Sequence, residues 1–290
     1  MNSPKHLLVI GHGFIGSAVA KLAHESGSQV TAVNRTATDS EAYPVVEADV
    51  TSDTSIKHLA AALKGNPPDW ILHCASSSRG GADTYREVFV AGIKRLAASF
   101  QDTPVAFTSS TSVYGQTDGP VVTESSPTEP DRETGRLLLE AEASARATGG
   151  LALRLAGIYG PGRSIYLKRL FEGTATIESG EVSRAVNQIH QIDAAKATLH
   201  LMATEHGETG ATFNIVDNTS MTQRELYTDL ARKLGFTTPP DAPPDMNRKR
   251  AWTNKIVSNL ALRSTGWEPI YPGYFDAIEQ DPALLESYRK

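Results

Sequence analysis

Over its first 160 residues the chain alternates short apolar or β-branched runs with longer stretches of helical periodicity. The runs HLLVIG (6–11), QVTAVN (29–34), PVVEAD (44–49), DWILHC (69–74), PVAFTS (104–109) and LALRLAG (151–157) have the length and composition of strands. Between them, 16–26, 55–64, 84–100 and 134–148 carry the spacing of amphipathic helices. Strands separated by single helices predict βαβ units and a parallel sheet. The rhythm changes after Gly160: the stretch 163–186 is polar and shows no sustained alternation, GATFNIVD (210–217) reads as one more sheet strand, and 222–235 reads as a helix. TTPPDAPPD (237–245) is a stiff extended connection, because proline fixes φ and donates no hydrogen bond.

The expected architecture is therefore α/β: a Rossmann-type doubly wound parallel sheet with a smaller C-terminal substrate-binding lobe over the carboxyl ends of its strands. Residues 1–162 and about 185–217 are assigned to the dinucleotide-binding domain, and 163–184 with 218–290 to the lobe. No internal repeat interrupts this division.

Composition narrows the partners. The 290 residues are 40% hydrophobic, enough for a substantial core, and carry a formal charge of −5. Neutralising nucleic-acid phosphates needs a dense basic face, which the short run Asn247-Arg248-Lys249-Arg250 does not supply, so no nucleic-acid partner is expected. The single cysteine, Cys74, excludes an internal disulfide framework and suits a reducing compartment. The polar lead MNSPK runs directly into an apolar stretch of strand length, which predicts neither signal peptide nor membrane span, and a cytoplasmic location. Eight histidines without paired metal spacing predict no metal site.

The motif with the most chemistry is Gly11-His12-Gly13-Phe14-Ile15-Gly16, set between a strand and a helix near the N-terminus. Gly11 permits the tight turn, Gly13 lets a pyrophosphate approach the backbone, and Gly16 lets helix pack on strand. Phosphates would meet the free N–H groups at Phe14 and Ile15 and the positive end of the helix. The second strand ends in Val33-Asn34-Arg35, with no carboxylate for a ribose 2′-hydroxyl. Arg35 can instead offer a fork to a 2′-phosphate, so NADP(H) is favoured over NAD(H), with Asn34 beside it. A solvated Arg35 would leave that preference open. Asp49 and Val50 after the third strand are adenine-edge candidates, Asp49 equally a turn cap, and Ala75 and Ser76 follow the fourth strand on the same side.

Further motifs carry a resemblance: PVAFTSSTSVYG (104–115) with Glu124, Pro127 and Pro130, LRLAGIYGPGR (153–163), and NQIHQIDAA (187–195). Together with GHGFIG they resemble the extended short-chain dehydrogenase/reductases, the NAD-dependent epimerase/dehydratase family. The resemblance implies hydride exchange with a nicotinamide, and proton chemistry by a hydroxyl residue, a Tyr and a Lys whose ammonium keeps the phenol acidic. Ser110 matches the hydroxyl position. Thr134 and Leu138 stand at the Tyr and Lys positions, and no Tyr or Lys occurs between Gly115 and Gly150. The chain thus resembles an atypical branch without the Tyr-x-x-x-Lys pair. Asn254-Lys255 and Ser258-Asn259 also look like that branch.

Thr111 and Ser112 stand where dehydrating members carry Asp-Glu, which makes dehydration the least expected activity. Tyr114 offers a substitute phenol, although a structural tyrosine is the competing reading. Arg132 and Arg136 could hold an anion. Glu140 and Glu142 are expected to support an exposed helix face with Arg136. Asp193 reads as a helix N-cap. Tyr159, Pro161 and Arg163 are expected near the nicotinamide end. The functional expectation is an NADP(H)-dependent oxidoreductase or epimerase for a polar carbonyl or secondary alcohol, such as a sugar derivative, with Ser110 and Tyr114 as catalytic candidates. The alternative is a catalytically inactive NAD(P)-binding regulatory or sensor protein. The resemblance also allows a homodimer through the helices after the fourth and fifth strands.

Overall fold

The computed structural model describes residues 4–36, 42–78, 80–180, 183–204, 210–244 and 252–289. The basic run 247–250 and the end of the proline-rich connection lie outside these residues. Seven parallel strands form the central sheet: β1 (His6–Ile10), β2 (Gln29–Asn34), β3 (Val45–Glu47), β4 (Trp70–His73), β5 (Val105–Ser110), β6 (Leu151–Leu155) and β7 (Thr212–Ile215). Their order across the sheet is β3-β2-β1-β4-β5-β6-β7, with the reversal of direction between β1 and β4. All residues of β1, β4 and β6 are buried, as expected for strands covered on both faces.

Two helical layers provide the cover. α1 (Phe14–Glu25) packs with a late helix, Gln191–Ala203, on one face; α2 (Asp53–Ala62), α3 (Ala82–Ser99) and α4 (Glu133–Arg146) lie side by side on the other. Sequence chemistry sets their ends. Ser52 caps α2 by accepting from the Ser55 N–H, and the 222–235 segment forms a helix, Gln223–Leu234, with a Thr222/Glu225 capping box and Gly235 at φ +75°.

α3 is not uniformly α-helical: Arg86–Ala91 form a π-helical insertion. The wider turn leaves the Val88 carbonyl to accept from His73 Nε2 at 2.8 Å. Burial holds the His73 imidazole neutral, its pKa lowered to about 4.

A second hydrophobic cluster, centred on Tyr159, Tyr166, Leu167, Leu226, Tyr227 and Tyr274, lies outside the sheet. Short ladders tie it in, including Gly157–Tyr159 with Gln188–His190 and Ala185–Val186 with Met221–Thr222. Val257, Leu262 and Trp267, which sequence reasoning gave to the smaller lobe, pack instead into the main core. Among the described residues no helix is long and apolar enough to cross a membrane.

A buried polar network braces the carboxyl half of the sheet. Arg154 on β6 makes a bidentate pair with Glu142 on α4, Nε to Oε1 at 3.1 Å and Nη2 to Oε2 at 2.8 Å. Ser109 Oγ donates to Glu142 Oε1 at 2.6 Å, and Arg154 Nη1 donates to the Tyr114 hydroxyl at 2.9 Å. Glu142 is 0% exposed, which corrects its assignment to an exposed helix face. Glu140 is exposed but pairs across to α3, with Lys94 at 3.2 Å and Arg86 at 3.8 Å, rather than with Arg136.

The two glutamates should therefore differ sharply. Glu142→Ala strands the Arg154 charge in the core and is expected to lower stability by about 3–5 kcal/mol. Glu140→Ala should leave the urea midpoint within error, because exposed pairs contribute little. Equal midpoints for the two variants would contradict the network.

Candidate cofactor and active site

The reversal between β1 and β4 brings two strand ends into contact, and a cleft of ≈ 1420 Å³ opens above them. That exceeds the roughly 300–1000 Å³ of a drug-sized pocket and has room for a dinucleotide with a small substrate. Gly11, just after β1, has φ +102°, and a Cβ there would lie 2.5 Å from the Ala75 backbone after β4. A Cβ on Gly16 would lie 1.9 Å from the Gly11 carbonyl oxygen. Gly13 differs: a Cβ on it would meet nothing within 4 Å, so its freedom serves the open side of the cleft. The Cys74 thiol donates to the Gly11 carbonyl at 3.1 Å, and burial pushes its pKa up to about 12, which makes it an inert brace.

The sequence-predicted cofactor residues Gly11, Gly13, Phe14, Ile15, Asn34, Arg35, Asp49, Val50, Ala75 and Ser76 all line this cleft; Gly16 packs behind it. Three are further occupied. The Asn34 Oδ1 accepts from the His12 N–H at 3.0 Å, so its side chain ties β2 to the glycine turn. Asp49 Oδ1 accepts from the Thr51 N–H and hydroxyl at 2.9 and 2.8 Å, the turn-capping reading of that residue. Ser76 Oγ accepts from the Ser78 N–H at 3.0 Å. Arg35 is exposed on the cleft rim. His12 turns to Tyr43, whose hydroxyl lies 3.0 Å from Nε2.

A dinucleotide suits this cradle on chemical grounds. α1 begins at Phe14 with no acidic residue in its first turn and no side-chain cap on its N–H groups, which leaves them for an anion.

At the other end of the cleft, β5 contributes Ser110, whose Oγ accepts from the Ser112 N–H at 3.2 Å and keeps its own proton for donation. Thr134 and Leu138 of α4 line the same space. Their side chains give this end of the cleft a hydroxyl and a buried aliphatic wall.

Tyr114 is corrected as a catalytic candidate. Its ring is 0% exposed, and its hydroxyl donates to Asn214 Oδ1 at 2.8 Å while accepting from Arg154. Burial raises its pKa despite the Arg154 charge. Sequence reasoning missed Tyr85, which lines the cleft from α3 next to Arg86, itself 3.5 Å from Glu133 at the start of α4. The Tyr85 ring rests on Phe89 at 5.0 Å, and its hydroxyl makes no hydrogen bond to the described residues.

Other expectations shift as well. Tyr159 and Pro161 stay out of the cleft lining; Tyr159 is buried in the second cluster, and Arg163 lies over the Phe14 ring at 5.1 Å, beside the glycine turn rather than the far end. The helix after β6 that contains Asp193 is capped by His190, whose Nδ1 accepts from the Ile192 N–H at 3.3 Å. Asp193 accepts instead from the N–H groups of Ile270 and Tyr271, at 2.6 and 3.1 Å, and burial raises its pKa. Lys255 donates to the Tyr114 carbonyl at 2.9 Å and Asn254 Oδ1 accepts from the Ala185 N–H at 2.9 Å, so the strap 254–259 fixes the loop after β5.

Fold and cleft together define a doubly wound, dinucleotide-type α/β protein. Residues 7–216 match the model of the NAD dependent epimerase/dehydratase family, and the chain belongs to it. It is 29% identical over 281 residues to protein YeeZ of Escherichia coli strain K12, covering 92% of this chain and 97% of that one. A structure from Methylobacillus flagellatus, provisionally described as an NAD-dependent epimerase/dehydratase, aligns over 100% of both chains at 25% identity with a TM-score of 0.78. The UDP-glucose 4-epimerase of Thermus thermophilus in complex with NAD aligns over 98% of this chain and 99% of its own at 20% identity, TM-score 0.79, a likeness of fold.

Two glycine variants separate folding from binding. Gly16→Ala should destabilise the protein outright, since its Cβ collides with backbone. Gly13→Ala should melt like the unaltered protein yet bind NADPH at least tenfold more weakly, the scale of one lost charge-assisted contact. Thermal melts with NADPH titration read both, and unimpaired NADPH binding by Gly13→Ala would contradict the cradle.

Proposed function

We propose that this protein is an NADP(H)-dependent oxidoreductase or epimerase acting on a polar carbonyl or secondary alcohol, with a sugar derivative as one such substrate. The observation that carries the reading is the single cleft that joins the glycine turn and Arg35 to Ser110. When bound, the nicotinamide would supply or accept hydride. Ser110 would then donate a hydrogen bond to the substrate oxygen, orienting and polarising it while keeping its own proton, a contribution of about 10²-fold for such a donor.

With Thr134 and Leu138 in the relay positions, the proton must come from elsewhere. Tyr85 is the cleft phenol whose hydroxyl has no competing hydrogen bond among the described residues, and it takes the role that Tyr114 gives up to the core. Water or a substrate hydroxyl would otherwise move the proton. Arg35 selects NADP(H) by pairing with the 2′-phosphate. The same reading puts the protein in the cytoplasm, acting on a small molecule, with two copies pairing through α3 and α4.

The loss of the Tyr-Lys pair favours a second reading, a dinucleotide-binding sensor without turnover. Stopped-flow NADPH oxidation against a panel of polar carbonyl compounds discriminates. Ser110→Ala and Tyr85→Phe are each expected to lower kcat/KM by about 10²-fold, the usual range for a single acid–base or polarising group. Tyr114→Phe should reduce stability while leaving turnover of the folded fraction intact. Tight NADPH binding without oxidation of any compound would support the sensor instead.

Cofactor choice has its own check. Arg35→Ala should weaken NADPH by about 10-fold or more and leave NADH nearly unchanged, consistent with one lost charged hydrogen bond. Equal losses for both would refute the assignment.

A further inference from the structure

Arg163 sits on a loop whose shape is tightly specified. Gly160 and Arg163 exchange two backbone hydrogen bonds of 2.9 Å each, and Gly162 between them takes φ +71°. The turn sends the guanidinium back over the main domain, with its Cζ 5.1 Å from the centroid of the Phe14 ring. Phe14 is the first residue of α1, directly after Gly13.

Positive potential therefore converges on one point from two sides. The N-terminus of α1 presents its uncapped N–H groups there, with no acidic side chain in the first turn. Arg163 brings a full charge, and no carboxylate among the described residues pairs with it. The Phe14 face offsets part of that charge. The helix N-terminus and the exposed guanidinium both line the open cleft beside Gly13, so an anion there would be attracted to both.

The second lobe holds this arrangement from behind. The Ser287 hydroxyl accepts from the Gly162 N–H at 2.9 Å. The Tyr288 hydroxyl accepts from the Ser164 N–H and donates to the Ser164 carbonyl, the latter at 3.3 Å. Ser164 Oγ pairs with the Tyr274 hydroxyl at 2.5 Å. On the near side, Gln191 Nε2 donates to the Phe14 carbonyl, and a Cβ on Gly160 would lie 3.1 Å from Phe14 Cζ. The loop and the glycine turn are thus fitted to one another, with Ser287 and Tyr288 as the tether.

We infer that Arg163 is a clamp for the cofactor's pyrophosphate, delivered from the second lobe and held in register by Ser287 and Tyr288. The inference rests on the dinucleotide reading above and adds a residue that closes the site from the opposite side to the glycine turn. It differs from Arg35 in what it senses: Arg163 faces the diphosphate common to NADPH, NADH and ADP-ribose, whereas Arg35 faces the 2′-phosphate of NADPH alone.

Calorimetric titration of the full chain with NADPH, NADH and ADP-ribose tests it. Arg163→Gln is expected to weaken all three by about tenfold or more, the size of a charge-assisted hydrogen bond to phosphate, with the NADPH to NADH ratio unchanged. Arg163→Lys should recover part of the loss, since an ammonium keeps the charge without the fork. Ser287→Ala, which releases the Gly162 N–H, should produce a smaller loss for the same three ligands. Affinities in Arg163→Gln equal to those of the unaltered protein overturn the clamp alone. A loss confined to NADPH also overturns it, by making Arg163 a 2′-phosphate contact. An unaltered protein that binds none of the three overturns the dinucleotide reading and the clamp with it.

Discussion

The rest of the structure depends on how closely β1 and β4 approach at their carboxyl ends. Gly11 has no room for a side chain against the Ala75 backbone, and Gly16 none against the Gly11 carbonyl. This packing sets the start of α1, and with it the direction in which its unpaired N–H groups point. It also fixes the cleft, because the strands on either side of the switch point diverge in connectivity there and leave an opening between their loops. The inert Cys74 thiol and the Asn34 side chain brace the same turn from below and from the side. A preformed turn of this kind presents its donors without first having to order them, which favours tight ligand binding.

The far end of the cleft obeys a different constraint. Next to Ser110 runs a buried network, Ser109 to Glu142 to Arg154 to Tyr114 to Asn214, that keeps every ionic member paired. Such a network is costly to disturb and leaves its hydroxyls little freedom for chemistry. On the proposed function, proton transfer then falls to groups outside it. On α4 these are Thr134 and Leu138, which exchange no proton near neutral pH. On the proposed function this end of the cleft keeps a polarising hydroxyl and has no Tyr-Lys relay, so the phenol of Tyr85 becomes the group of interest.

Much of this was legible in the chain. Alternating apolar runs and helical periods marked all seven sheet strands, and the ordered motifs marked residues that line one cleft, because local turn chemistry and burial act on neighbouring residues. What failed was long-range. Glu142 has helical spacing suited to an exposed ion pair, yet its partner is Arg154 on a strand, a charged residue inside the apolar run LALRL that was the one available signal. Asp193 precedes an apolar helical stretch like a cap, but backbone donors from Ile270 and Tyr271, some 77 residues on, claim it. Tyr85 belongs to a helix whose π-helical insertion bonds to His73 across the layer, and the loop of Arg163 is tied to Ser287. None of these contacts leaves a periodic trace.

On the proposed function, one cleft binds NADP(H) and brings the nicotinamide to Ser110 with no Tyr-Lys relay beside it. A crystal structure of the protein soaked with NADPH tests this most directly. The pyrophosphate is expected on the N–H groups of Phe14 and Ile15, the 2′-phosphate at Arg35, and the nicotinamide ring in the space bounded by Ser110, Thr134 and Tyr85. A dinucleotide bound in the reverse sense, or one whose nicotinamide lies away from Ser110, would contradict it.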